Sequence, residues 1–187
     1  MKNILPLLVA LLSLFSLACV VAVGNRTRVE ESPAQPSVTR ALCLLAPTQG
    51  HAVRGTVTFL QQDGAVLVRA EITGLTPGAH GFHVHEFGDC SAPDAASAGG
   101  HFNPMGHQHA GPDAPARHMG DLGNLVAGED GVARMERLDK ILKLGGPHSI
   151  VGRAVIVHEK VDDLATQPTG NAGGRVACGV IGAGKAP

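Results

Sequence analysis

Apolar residues recur at every second position in a series of short runs, and turn-forming residues separate the runs. Val53, Gly55, Val57 and Phe59 alternate with Arg54, Thr56 and Thr58. After the turn Gln62-Asp63-Gly64, Val66, Val68, Ala70 and Ile72 repeat the pattern. Residues two apart on a strand point to one face, so each run can bury one side and wet the other. Asp-Gly readily supplies the positive φ of a tight hairpin turn. The pattern predicts strands over 41–46, 52–60, 65–72, 81–86, 121–127, 132–138, 153–158 and 175–181. Further turns are predicted at Thr76-Pro77-Gly78 and Glu129-Asp130-Gly131. Short strands with turn signals at close spacing indicate an all-β barrel or sandwich.

Two stretches break the alternation. Residues 87–119 and 159–174 are irregular, and the first is dense in Gly, Pro, Ala and His. Irregular loops beyond about 12–15 residues are uncommon and are usually functional. Such a loop has little core of its own. A disulfide and a structural metal would both serve to hold it.

The first 24 residues differ from all the rest. Met1-Lys2 is a short positive start, 4–23 is apolar apart from Ser13 and Ser16, and Ala22-Val23-Gly24 offers small residues for cleavage. This reads as an export signal. Two other readings stand beside it. The apolar run matches the roughly 20 residues of a membrane span, which allows an uncleaved anchor. Ser16-Leu17-Ala18-Cys19 loosely matches a lipoprotein cleavage site. A cleaved signal ranks first and a lipoprotein second. Each places the domain in the periplasm or outside the cell, free or membrane-anchored, where disulfides persist. Residues 25–37 are polar with Pro33 and Pro36 and read as a flexible linker. The folded domain is expected over 38–187.

Composition narrows the function. A length of 187 residues suits one domain plus a short extra segment. The net charge is −1 and no basic run is visible, so nothing points to nucleic acid. Histidine is abundant at 10 residues, most of them between His80 and His118. That clustering points to metal. His83 and His85 flank Val84, so on a strand both imidazoles project one way. Imidazole suits copper, zinc, iron and nickel. His101, His107, His109, His118, Asp121 and His158 are the further candidate ligands. His80 is expected beside the site strand in a packing or hydrogen-bonding role, and His51 and His148 on surfaces or turns.

Gly81-Phe82-His83-Val84-His85-Glu86-Phe87-Gly88-Asp89-Cys90, Gly100-His101-Phe102-Asn103-Pro104, His118-Met119-Gly120-Asp121 and Val157-His158-Glu159-Lys160 occur in order along the chain. Gly170-Asn171-Ala172-Gly173-Gly174-Arg175-Val176-Ala177-Cys178-Gly179-Val180-Ile181 follows near its end. In these motifs the chain resembles the copper,zinc superoxide dismutase family, from about Val38 to Gly184. The resemblance implies an eight-stranded antiparallel Greek-key barrel, an immunoglobulin-like sandwich with two long functional loops. It implies copper on His83, His85, His101 and His158, and zinc on His101, His109, His118 and Asp121, with His101 shared. Four nitrogens suit Cu(II), and three His with one carboxylate suit a closed structural zinc site. His107 is the competitor of His109.

The resemblance also implies that Arg175 attracts and orients an anionic substrate beside the copper. Asp162 would link a copper-ligand His to a zinc-ligand His, with Asp163 as the adjacent rival. Cys90 and Cys178 would form a disulfide. Cys43 reads as a buried apolar residue, and Cys19 belongs to the export segment. The implied activity is disproportionation of superoxide to dioxygen and hydrogen peroxide, with His101 carrying a proton. The alternative is a non-catalytic copper- and zinc-binding barrel for metal delivery or storage. A homodimer is a further expectation. Two features depart from the best-known members. Cys90 falls early in its loop, and the loop before Arg175 is short, with no run of Lys and Glu.

Overall fold

The alternating runs close on themselves. The computed structural model describes residues 37–186. Its strands are β1 (Arg40–Pro47), β2 (Arg54–Gln62), β3 (Ala65–Thr73), β4 (Gly78–His85), β5 (Asp121–Ala127), β6 (Ala133–Asp139), β7 (Ala154–His158) and β8 (Arg175–Ala183). They form one closed barrel in the order β1-β2-β3-β6-β5-β4-β7-β8, with every neighbouring pair antiparallel. From β3 the chain crosses past the places of β6 and β5 to lay down β4. It then returns through β5 and β6 before crossing again to β7. This is the Greek-key path, and closure leaves no unpaired sheet edge.

Local chemistry explains the hairpins. Gln62 pairs with Ala65, and the two residues between, Asp63 and Gly64, have φ of 45° and 81°. Two positive φ values make the turn whose twist matches paired strands. The predicted periodicity is kept: Val53, Val57, Phe59, Val66, Val68, Ala70 and Ile72 are all in the core. Strand ends differ from the sequence reading by a few residues. β4 starts at Gly78, within the predicted turn, and β8 runs on to Ala183.

Two strands are not half-wet. β4 is buried from His80 to His85, and every residue of β7 is buried. Phe82 and Val84 enter the barrel core. His83 and His85 alternate with them and so lie on the barrel's outer side. Residues 86–120 and 159–174 cover that side, and the first carries a single 3-10 turn at Ala96–Ala98. Cys43 is a free thiol in the core, and burial pushes it up to about 12. No helix among the described residues is long and apolar enough to cross a membrane. The predicted export segment, and the predicted linker up to residue 36, lie outside the described residues.

Candidate metal centre

Four backbone features bring the histidines together. His83 and His85 stand on β4, which pairs with β7 through His83↔Ile156 and His85↔Ala154. His158 ends β7 opposite Arg175. Asp121 opens β5 opposite His83. His101 is held against β4 by its neighbour: Phe102 N donates to Val84 O at 2.8 Å, and Val84 N donates to Gly120 O at 2.9 Å. Gly120 has no substitute here, because a Cβ on it would lie 2.1 Å from Val84 O.

The result is two buried sets. His83, His85, His101 and His158 form one, and His101, His109, His118 and Asp121 form the other. Within each set one potential ligand atom per residue lies within 4.8 Å of the others. His101 belongs to both, as the sequence suggested. His107 belongs to neither: it is exposed, and its Nδ1 donates to Arg117 O at 3.2 Å.

The outer atoms of the rings are fixed. Asp162 accepts from His83 Nε2 at 2.7 Å and from His109 Nε2 at 2.9 Å. His85 Nδ1 donates to Gly99 O at 3.0 Å, and His158 Nδ1 to Gly173 O at 3.3 Å. The inner atoms converge. His85 Nε2 and His158 Nε2 are 3.3 Å apart. Nδ1 of His101, His109 and His118 stand 2.9, 3.0 and 3.4 Å from the one atom Asp121 Oδ1.

Four inner nitrogens, His83 Nδ1, His101 Nε2, His109 Nδ1 and His118 Nδ1, are buried without a hydrogen-bond partner among the described residues. A buried polar atom left unpaired costs about 1–3 kcal/mol, and native structures avoid it. Metal ions would satisfy all four atoms, so the residues present fit two cations. Fixing His83, His85, His109 and His158 by their outer nitrogens sets both orientation and basicity at the inner ones.

The charge states agree with this. Burial lowers His85 well below its usual range, His101 to about 4 and His158 to about 3. These three therefore present neutral imidazole, the form that binds metal. His109 behaves oppositely. Burial works against its charge, yet the Asp121 carboxylate 3.0 Å from Nδ1 and the Asp162 carboxylate bonded to Nε2 raise it to about 9. Asp121 and Asp162 are also buried, which opposes ionisation. Donation from the histidines around them outweighs that and holds both far below the usual carboxylate range.

Arg175 opens β8 and is half-buried. Its Nη1 donates to Ala95 O at 2.5 Å and its Nη2 to Gly99 O at 2.7 Å. Gly99 O thus accepts from both Arg175 and His85, which sets the guanidinium beside the four-histidine set. Cys90 and Cys178 are joined, with Cα atoms 5.8 Å apart, and this pins the loop before Ala95 to β8. Asp163 does not reach the histidines. It is exposed, and its carboxylate accepts from Ala165 N, Thr166 N and Asn171 Nδ2. His80 is buried with Nδ1 donating to His158 O at 2.9 Å, so it steadies the end of β7.

Supporting residues escaped the sequence reading, Asn124 and Arg117 among them. Asn124 donates to Asp162 O and accepts from Asp162 N, both at 2.8 Å. Arg117 is buried, pairs with Asp139, and donates to His118 O and Met119 O. The position of Arg117 next to His118 was a signal that could have exposed it; Asn124 had none.

Residues 53–181 match the family described as copper/zinc superoxide dismutase (SODC). A solved structure described as "Crystal Structure Analysis of the clock protein EA4" is 48% identical, with a TM-score of 0.75. The match covers 82% of this chain and 99% of that one. The chain belongs to the copper/zinc superoxide dismutase family.

Proposed function

We propose that this protein disproportionates superoxide into dioxygen and hydrogen peroxide. The observation that carries the reading is the shared ring of His101. Its Nε2 is an unpaired buried atom of the four-histidine set, and its Nδ1 belongs to the set around Asp121. Copper on His83, His85, His101 and His158 would exchange one electron in each direction, so that one superoxide is oxidised and the next reduced. Zinc fits the second set, where three imidazoles and a carboxylate make a closed, structural donor group. There His109, His118 and Asp121 would secure the first long loop.

The chain's own groups do the remaining work. Two carbonyls hold the Arg175 guanidinium, and among the described residues nothing else takes its other N–H groups, which could receive an anion. Delocalised charge in a planar fork suits a small oxyanion. His101 Nε2 is placed to hold a proton and pass it to peroxide as that product forms. Overall, two superoxide anions and two protons give one dioxygen and one hydrogen peroxide. Residues 1–24 would export the chain, and the Cys90–Cys178 disulfide suits an oxidising compartment.

One observation favours a second reading, a copper- and zinc-binding barrel without turnover: the 48% identical structure is described as a clock protein. Metal analysis together with a dismutation assay separates the two. The first reading expects about one copper and one zinc per chain and rapid loss of superoxide. A fully loaded but inert protein would establish the second, and activity without copper would overturn the metal assignment.

A further inference from the structure

The second long loop grips His109 from more than one side. Asp162 accepts from its ring at Nε2. Gly170 lies so close that a Cβ on it would sit 2.7 Å from the same Nε2. The backbone of His109 is held as well. Gln167 Oε1 accepts from His109 N at 2.8 Å, and Gln167 Nε2 donates to His109 O at 2.8 Å. A side-chain amide here completes both backbone groups of one residue, as a neighbouring strand would. Gln167 Nε2 also donates to Ala165 O at 3.1 Å, which fixes the amide within its own loop.

This pairing joins segments 58 residues apart in sequence. His109 sits in a stretch of the first loop with no strand partner, and among the described residues Gln167 is the partner of both its backbone groups. The grip spans the link between His158 and Arg175, since residues 159–174 connect them. A rotation of His109 about its backbone would move Nδ1 away from Asp121 Oδ1, now 3.0 Å away.

We propose that Gln167 is a positioning residue for the zinc-type set: its amide fixes the His109 backbone and thereby locks the second loop onto the first. This rests on the metal assignment above but not on catalytic turnover. Outer partners of metal ligands typically change affinity by about 10–100-fold when lost. Gln167 is itself exposed, so its replacement leaves the core intact.

The test uses the full mature chain carrying both metals. Zinc release to a chromogenic chelator is followed in the parent, Gln167→Ala and Gln167→Met, the last keeping the length without the amide. Cobalt(II) in place of zinc reports ligand geometry by its visible absorption bands. Both variants are expected to release zinc about 10-fold faster or more and to show altered cobalt bands. Copper content should be unchanged. Release at the parent rate by Gln167→Ala would overturn the proposal. So would parent-like release by Gln167→Met alone, because packing would then suffice. Zinc that binds as proposed in a protein without dismutase activity would overturn the activity reading and leave this one standing.

Discussion

At the scale of single residues, the centre depends on which ring nitrogen is occupied from outside in His83, His85, His109 and His158. Gly99, Gly173 and Asp162 take Nδ1 of His85, Nδ1 of His158 and Nε2 of His83, and so decide which atom faces inward. Removing one inner atom should affect one set first. His158→Ala is expected to lose copper and activity while largely keeping zinc. His118→Ala should lose zinc first and loosen the first loop. Metal analysis by mass spectrometry checks both, and zinc lost equally in the two variants would contradict the division. His109 adds a dependence on pH. Its folded value is raised from 6.5 to about 9 by Asp121 and Asp162. The charged ring therefore stabilises the metal-free protein fully below 6.5, and that contribution is lost as pH rises through about 9. Zinc replaces the proton, so its binding should strengthen as pH rises toward 9. Calorimetry of metal-free and zinc-loaded protein across this range should show the fall in stability in the metal-free form alone.

At the scale of elements, the strands and the loops are built by different rules, and they were unequally legible. Strands announce themselves through side-chain alternation. Val53 to Ile72 could be placed on inner and outer faces from the sequence, and the Asp63-Gly64 turn was readable for the same local reason. The ends of β4 and β8 were less clear, because pairing with a partner strand extends a strand past its apolar run. The loops are held by side chains bonding to distant backbone. Asn124 on Asp162 and Gln167 on His109 leave no periodic trace, so neither was visible in advance. The candidate ligand residues were legible through motif and spacing, though geometry was needed to set His107 and Asp163 apart from the two sets. The braid of Val84, Phe102 and Gly120 shows how little freedom a loop of this kind has. Gly120→Ala would drive a methyl to 2.1 Å from Val84 O and part the loop from β4. Its cost should fall at the upper end of the roughly 0.5–3 kcal/mol range of single substitutions. Gly145→Ala meets open space and should be near neutral. Urea unfolding of the two variants tests this, and equal midpoints would show that the close approach is not rigid.

At the scale of the whole molecule, the question is how an anion reaches a negatively charged protein. The full chain carries −1, and removal of Lys2 with the first segment would leave the rest more negative. On the proposed function, net charge opposes superoxide, and its capture would need a local positive field. Arg175 would supply it beside the four-histidine set, and the short second loop offers few other cations, Lys160 being the nearest in sequence. Burial lowers the arginine somewhat below its ordinary value, but from so high a value that it stays charged at neutral pH. Arg175→Ala should lower the second-order rate with superoxide and leave copper and zinc content intact. Arg175→Lys should keep part of the rate, since charge remains while the planar fork is lost. Added salt should slow the parent, because screening confines the field to about 8–10 Å near physiological ionic strength. With the guanidinium gone, less field is left to screen, so the alanine variant should respond less steeply to salt. Pulse radiolysis over a range of ionic strength gives both numbers. An Arg175→Ala rate equal to the parent's at low salt, with metals in place, would remove this arginine from substrate capture.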